Sequence, residues 1–213
     1  MDRRNALQQL GVLALLASPI GFSLGRPERA KPQENFQILK SAVPVSTADK
    51  IEVLEFFHYG CSHCHDFEPL VARWVERLPN DVAFIRVPAV WGKPLEALAR
   101  LHYTLLATKR LDLHATIFAA VQEQRLRLDT PDGVSEWAKK NKLDVSAFMD
   151  IYRSFGINTQ VQRAQQLVSS YRIDSVPTMA IAGRFLTSAA MAGSHEAALK
   201  VVDSLIERVR KGE

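Results

Sequence analysis

The spacing of apolar and polar positions changes its period along the chain, and each change marks an element. Residues 35–39 read as a short first strand, and Ser46-Thr47-Ala48-Asp49 as a turn. The run Ile51-Glu52-Val53-Leu54-Glu55-Phe56-Phe57 is apolar on both alternating sets except at its glutamates, as expected of a strand covered on both faces. From Cys61 the period lengthens: Phe67, Leu70, Val71, Trp74, Val75 and Leu78 recur at helical spacing. Pro69 lies inside this helix, and its missing N–H predicts a kink rather than a break. Residues 81–87 form another strand, so strand, helix, strand predicts a right-handed parallel crossover.

Between residues 94 and 171 the alternation stops and helical stripes take over. Leu95, Leu98, Leu101 and Leu105 make one; Leu113, Ile117, Phe118 and Val121 make a second. Thr130-Pro131 starts a third helix, Asp144 caps a fourth that carries Phe148, Ile151 and Tyr152, and Asn158 opens a fifth through Val161, Ala164, Leu167 and Val168. Strands resume after Val176-Pro177: 178–182, a turn at Gly183, and 184–187 read as an antiparallel hairpin. Ser194 caps a last helix with Ala198, Leu199, Val202, Leu205, Ile206 and Val209 on its apolar side. The expected fold class is α/β: a frame of strands, 35–93 with 172–213, interrupted by an all-helical insertion over 94–171.

At 213 residues, 47% hydrophobic and 23% charged, the chain buries a core without needing a disulfide as a staple. Its 27 basic and 23 acidic residues are interspersed and leave only +4, with no basic aromatic stripe, so nucleic acid is not an expected partner. Arg3 and Arg4 precede an apolar stretch from Leu10 to Leu16 that fades at Ser18-Pro19. That stretch has the length of a signal peptide's apolar region, with a short membrane anchor as the alternative. Residues 1–25 are read as the signal, with small residues at Ser23 and Gly25 but no A-x-A site, and 26–34 as a flexible lead-in. Export implies an oxidising compartment, the bacterial periplasm.

The chain's two cysteines form the motif Cys61-Ser62-His63-Cys64 directly behind the apolar strand. That places a dithiol at a strand-to-helix junction, where unpaired N–H groups and the positive dipole end stabilise a thiolate. Whatever stabilises the reduced thiolate makes the corresponding disulfide a stronger oxidant.

Residues 52–69, reading EVLEFFHYGCSHCHDFEP, taken with the distant Val176-Pro177-Thr178 and the helical block between, resemble the DsbA-like branch of the thioredoxin superfamily. The likeness covers nearly all of the chain after the lead-in. It implies a thioredoxin-like fold with an inserted helical subdomain, and a periplasmic thiol-disulfide oxidoreductase that donates its disulfide to newly exported proteins. A DsbB-like, quinone-linked membrane oxidase would regenerate it. Carried over residue by residue, Cys61 is the exposed nucleophile, Cys64 its buried resolving partner, His63 the dipeptide residue favouring the thiolate, and Pro177 a cis-proline facing the sulfurs. The resemblance implies no cofactor beyond the redox-active pair and no metal. One departure is Ser62 where the commonest dipeptide of this branch has proline; its hydroxyl either bonds a sulfur or meets water.

Two further expectations concern neighbours of the motif. A cis bond at Pro177 leaves the Val176 backbone free to pair with an extended substrate segment beside Cys61. Glu55, in a strand covered on both faces, must be protonated or paired, and is expected to lie beneath the site and exchange a proton with Cys64. The alternative for Glu55 is a strand-end side chain reaching water. His58, Tyr59 and Gly60 form the approach and shape the surface; Trp74, Trp91 and Trp137 read as packing residues, and His102, His114 and His195 as ordinary helix residues.

Other chemistries remain open on the same residues. Cys61-Ser62-His63-Cys64-His65 also satisfies C-x-x-C-H, the c-type haem attachment motif. A structural zinc would need the two cysteines and two of His58, His63 and His65, but no second ligand cluster follows in the sequence. Within the redox class the rival is a disulfide isomerase or reductase. Dimeric isomerases of the superfamily carry an N-terminal dimerisation domain for which 35–49 is too short, so a monomeric oxidase is expected.

Overall fold

A computed structural model describes residues 35–47 and 49–212. The leader, anchor and lead-in readings fall on residues 1–34, outside the described residues. No described helix is long and apolar enough to cross a membrane.

Five strands form one mixed sheet: β1 (Gln37–Ile38), β2 (Ile51–Phe57), β3 (Val82–Pro88), β4 (Thr178–Ile181) and β5 (Phe185–Thr187), in the order β1-β5-β4-β2-β3. The expected crossover is present, with β2 parallel to β3, and the expected hairpin pairs β4 with β5 antiparallel. The two central residues of the hairpin turn, Ala182 and Gly183, have φ of +52° and +69°, the doubly positive geometry that matches the twist of the flanking strands. A side chain at 183 would strike the Val43 carbonyl oxygen, which a Cβ there approaches to 2.0 Å. Only glycine lets this turn and the incoming chain pack so closely.

The period-two alternation of β2 divides its side chains between two layers. Val53 packs with Phe67, Val71 and Trp74 of α1 (Ser62–Val75) and with Leu199 and Val202 of α8 (His195–Arg210). Leu54 and Phe56 face the opposite layer, against Ala99 and Tyr103 of α2 (Glu96–Ala107) and Val161, Ala164 and Val168 of α6 (Phe155–Ser170). Burying side chains of this size contributes about 1.5–3 kcal/mol each. The glutamates divide the same way: Glu52 closes on the Ser46 N–H and hydroxyl, whereas Glu55 sits among the residues under α1.

The helical block between β3 and β4 comprises α2, α3 (His114–Gln122), α4 (Pro131–Lys140), α5 (Val145–Arg153) and α6. Its caps are those the sequence predicts for α4 and α5: the Thr130 hydroxyl accepts from Gly133 N and the Asp144 carboxylate from Ala147 N. The fifth helix begins earlier than expected, at Phe155 rather than Asn158, because the Ser154 hydroxyl caps the N–H of Ile157. Phe155 is 83% exposed, so the first turn adds nothing to the apolar stripe and hides the start. A four-residue helix, α7 (Ala189–Ala192), stands between β5 and α8 and was not expected; it is too short and too uniformly small to show a period. Helix α1 continues through Pro69 and ends at Val75, short of Leu78.

Candidate active site

Cys61 is the N-cap of α1. Its backbone is extended, with φ −95° and ψ 118°, and its sulfur accepts from the Cys64 backbone N–H at 3.4 Å, the role a serine or aspartate side chain ordinarily fills. The turn into the helix is tied by Cys61 N donating to His58 O at 2.9 Å, and the first helical bond runs from His65 N to Cys61 O at 3.1 Å. Both cysteines are free thiols. Cys61 is half-buried and Cys64 buried; Ser62 and His63 are exposed. Across the cleft, the Val176–Pro177 peptide bond is cis, and Val176 O lies 3.5 Å from the Cys61 sulfur.

The two sulfurs differ sharply in acidity. Hydrogen bonding from the Cys64 thiol, followed by the Cys64 and His63 backbone N–H groups, brings Cys61 down to about 6 against the opposing effect of burial. The positive charge of His63 is the smallest of these influences. Cys64 moves far upward because its thiol donates to Cys61 and because it is buried, with the nearby Glu55 carboxylate adding in the same direction. A single turn of helix thus holds one sulfur as an anion and the other as a thiol.

Beneath this turn lies a buried polar network. Glu55 and Arg86 are directly opposite in the β2–β3 register, and Arg86 Nε lies 3.3 Å from Glu55 Oε2, off the line of a good hydrogen bond. Arg86 Nη2 donates to both carboxylate oxygens of Glu68 on α1, at 2.8 and 3.0 Å. Glu68 Oε2 in turn faces His114 Nε2 at 3.3 Å, and His114 Nδ1 lies 2.6 Å from the Tyr59 hydroxyl, itself 3.3 Å from His102 Nδ1. Burial, partly offset by Arg86 and reinforced by Glu68, raises Glu55 to about 8. Burial alone would raise Glu68 as well, but the His114 ring at 3.3 Å and the charge and hydrogen bonds of Arg86 hold it below the ordinary carboxylate range. Burial lowers both histidines, so both imidazoles are neutral.

Three sequence readings change here. Glu55 is 1% exposed, so the alternative of a strand-end side chain reaching water is overturned. Tyr59 is likewise 1% exposed, packed between Phe57 and Phe118, and shapes the floor rather than the surface. His102 and His114 are members of the network and not ordinary helix residues; His195, at the start of α8, lies on the Phe67 ring. Their positions carried a signal, since His114 stands four residues before Phe118 and His102 four after Leu98 and three before Leu105, both on apolar faces. Trp74 and Trp137 are core residues, as expected, while Trp91 is 46% exposed with its indole N–H on Ile173 O at 2.8 Å.

The rival ligands of the motif find other partners. His65 stacks on Phe118 at 5.8 Å and 12°, with Nε2 3.4 Å from a Glu123 carboxylate oxygen. Among the described residues no group of three or more His, Cys, Asp or Glu is arranged to hold a metal ion.

Residues 84–199 match the family model for the DSBA-like thioredoxin domain, a span that contains the helical block and the cis-proline but not the cysteines. The thiol:disulfide interchange protein DsbA of Bordetella parapertussis is 41% identical over 184 residues, 86% of this chain and 88% of the relative. DsbA of Pseudomonas aeruginosa is 35% identical over 202 residues, covering 94% of this chain and 95% of the relative. A crystal structure of Pseudomonas aeruginosa DsbA superposes with a TM-score of 0.81 at 36% identity, over 84% of this chain and 94% of that one. The Neisseria meningitidis oxidoreductase NmDsbA1 superposes at 0.76 and 27% identity, over 84% and 93%. These likenesses give the haem reading no support. A thioredoxin-like sheet, a cysteine pair at the head of its first helix and these relatives together place the chain in the DsbA family of thiol:disulfide interchange proteins.

Proposed function

We propose that the protein is a periplasmic dithiol oxidant that hands the Cys61–Cys64 disulfide to exported proteins as they fold. The observation that carries this reading is the asymmetry of the sulfurs: Cys61, half-buried and held near 6, is the stable leaving group, and Cys64, buried and displaced upward, is not. A substrate thiolate attacks the Cys61 sulfur of the oxidised protein, the S–S bond breaks, and its electron pair goes to Cys64. Glu55, uncharged at neutral pH because its carboxyl titrates near 8, gives its proton to that sulfur and becomes a carboxylate. A second substrate thiolate then attacks the substrate sulfur of the mixed disulfide, and Cys61 leaves as a thiolate facing the N–H groups of the helix start. The substrate has lost two electrons and the protein has gained them; a DsbB-like, quinone-linked membrane oxidase removes them again.

His63 and Ser62 line the exposed side of this exchange and Pro177 the opposite wall, with the Val176 backbone pairing an extended substrate segment. In domain terms, 35–93 and 172–213 supply the redox frame and 94–171 the helical insertion, preceded by a leader over 1–25 and a lead-in over 26–34. The protein works as a monomer with no bound cofactor or metal.

The test is an oxidative-folding assay on a reduced, unfolded substrate with the potential measured against glutathione. Disulfide formation in substrate with a potential well above the roughly −270 mV of thioredoxin is the expected result. A potential near thioredoxin's, with substrate disulfides reduced rather than made, would overturn the oxidant reading in favour of a reductase.

A further inference from the structure

The buried network holds more groups than proton delivery to Cys64 requires. Two carboxylates, Glu55 and Glu68, share one guanidinium, that of Arg86, in a space where all three side chains are at most 16% exposed. One cation cannot compensate two buried anions, so one carboxyl keeps a proton. Which one is decided by donors. Glu68 receives two bonds from Arg86 Nη2 and has a second donor, His114 Nε2, at 3.3 Å though off the line of a good hydrogen bond, whereas Glu55 has only a single misaligned contact with Arg86 Nε.

The ring of His114 has two nitrogens, and its neighbours fix what each one does. The Tyr59 hydroxyl lies 2.6 Å from Nδ1, and the Glu68 carboxylate stands at Nε2. The arrangement that suits the carboxylate puts the proton of His114 on Nε2, pointing at Glu68 Oε2, so that Tyr59 O–H donates to His114 Nδ1; the longer 3.3 Å contact of Tyr59 with His102 Nδ1 adds no direction, since the His102 ring also bonds the Arg86 backbone. In the other tautomer of His114 a lone pair would face a carboxylate, which is repulsive. The Glu68 carboxylate therefore sets the direction, and the Tyr59 hydroxyl, by donating to Nδ1, holds the ring in place with its N–H towards Glu68. The titratable and charged groups facing Tyr59 and His114 are Glu55 on β2, Arg86 on β3, Glu68 on α1 and His102 on α2.

We infer that His114, oriented by Tyr59, is a positioning residue for disulfide exchange: its N–H keeps the negative charge of the carboxylate pair on Glu68 and so leaves the proton on Glu55, beside Cys64. The inference rests on the proposed role of Glu55 as proton donor. Remove the His114 N–H and Glu68 becomes a poorer anion; the proton then moves towards Glu68, and Glu55 waits as a carboxylate with nothing to give.

Carboxyl titration by NMR of the full-length, oxidised protein with 13C-labelled glutamate reads the effect directly, with the Glu55 resonance assigned by its loss in Glu55→Gln. In His114→Phe the Glu55 midpoint falls by at least one pH unit, a tenfold loss of proton affinity, and the pH midpoint of the substrate-attack rate falls with it. His114→Gln, which keeps an N–H towards Glu68, restores most of both. An unchanged Glu55 midpoint in folded His114→Phe overturns the inference, as does an equal fall in His114→Gln, which would mark a packing effect. If His114→Phe fails to fold, Tyr59→Phe decides, because it removes one oxygen and keeps the ring: a fall in the Glu55 midpoint supports the inference and no change overturns it. Should Glu55→Gln exchange disulfides at the normal rate, the proton-donor reading alone fails, since the titration arm reports the placement of charge whatever Glu55 does in catalysis.

Discussion

The rim and the floor of the site are built from opposite kinds of material. At the rim, Cys61, Ser62 and His63 are consecutive, at least partly open to water, and act mainly through backbone N–H groups. On the floor, Glu55, Tyr59, Glu68, Arg86, His102 and His114 come from separate parts of the chain, are buried or at most 16% exposed, and act through side-chain hydrogen bonds and the charges of Arg86 and Glu68. Charges that water screens change a thiol little; charges in a dry interior change it a great deal. The rim should accordingly tolerate every substitution except that of the reacting sulfur, and the floor should tolerate few.

The largest effect therefore belongs to the sulfurs. Cys61→Ser is expected to reduce disulfide transfer to background in the oxidative-folding assay. Cys64→Ser leaves Cys61 able to hold a substrate but not to be released from it, so mixed disulfides should accumulate on a non-reducing gel.

Arg86 comes next. Arg86→Met keeps the volume of the stem and removes the guanidinium shared by Glu55 and Glu68, leaving buried carboxylates uncompensated. Breaking a buried pair in this way costs about 3–5 kcal/mol, read as a fall in the denaturant midpoint. The loss should shrink at low pH, where both carboxyls take protons. An Arg86→Met protein as stable as the parent would place water or another cation between the two glutamates.

Glu55→Gln removes the acid but keeps the shape. If the proton for Cys64 comes from Glu55, the attack step at neutral pH slows by about 10²-fold, the lower end of what a positioned acid contributes. The parent rate should also fall as pH rises through about 8, where Glu55 loses its proton. In Glu55→Gln that decline disappears. Normal exchange kinetics in the variant would remove Glu55 from the mechanism.

A weaker effect appears in stability against pH. Cys61 titrates near 6 in the folded reduced protein, below its ordinary value of 9.0. Between those two pH values the unfolded chain holds a proton that the folded chain has lost, so stability rises with pH across the window. The contribution is complete above about 9 and gone below about 6. Glu55 acts with the opposite sign, since its raised value favours the folded state only while it stays protonated. Subtracting the oxidised protein's curve, in which the thiols are absent, isolates the sulfurs: reduced minus oxidised stability should climb from pH 6 to 9. A flat difference would mean that Cys61 is an ordinary thiol.

The rim was legible in the sequence and the floor only in part, for the same reason that they respond differently. A C-x-x-C behind a strand and before a helical stripe is local information, and it places the cysteines at a helix start, although the capping of Cys64 N–H by the Cys61 sulfur is seen only in the structure. Glu55 was legible because a charge in a doubly covered strand has to be explained. Arg86 stands in an equally apolar strand, Val82–Pro88, yet only the parallel register places it opposite Glu55. His114 and His102 reach the site through the packing of α2 and α3 over Phe57, a long-range outcome that no local period encodes. Helix ends show the same division: Thr130, Asp144 and Ser194 were readable as caps, while Ser154 was obscured by the exposed Phe155 beyond it.

At His63 an exposed charge and the backbone N–H groups of the rim act on the same thiolate, and the side chain carries the smallest expected effect. The family resemblance makes His63 the residue that favours the anion, but its side chain is exposed and its charge ranks below the hydrogen bonds of Cys64 and of the His63 backbone. Substitution by alanine leaves those backbone groups in place. His63→Ala should therefore raise the Cys61 midpoint by less than one unit, measured from thiolate absorbance or the pH dependence of alkylation, and lower the reduction potential only slightly. The shift should shrink further in high salt, which screens an exposed charge but not a backbone N–H. A shift of several units would reverse the order and make the imidazole, not the helix start, the main stabiliser. No shift in either the midpoint or the potential would remove His63 from the site altogether.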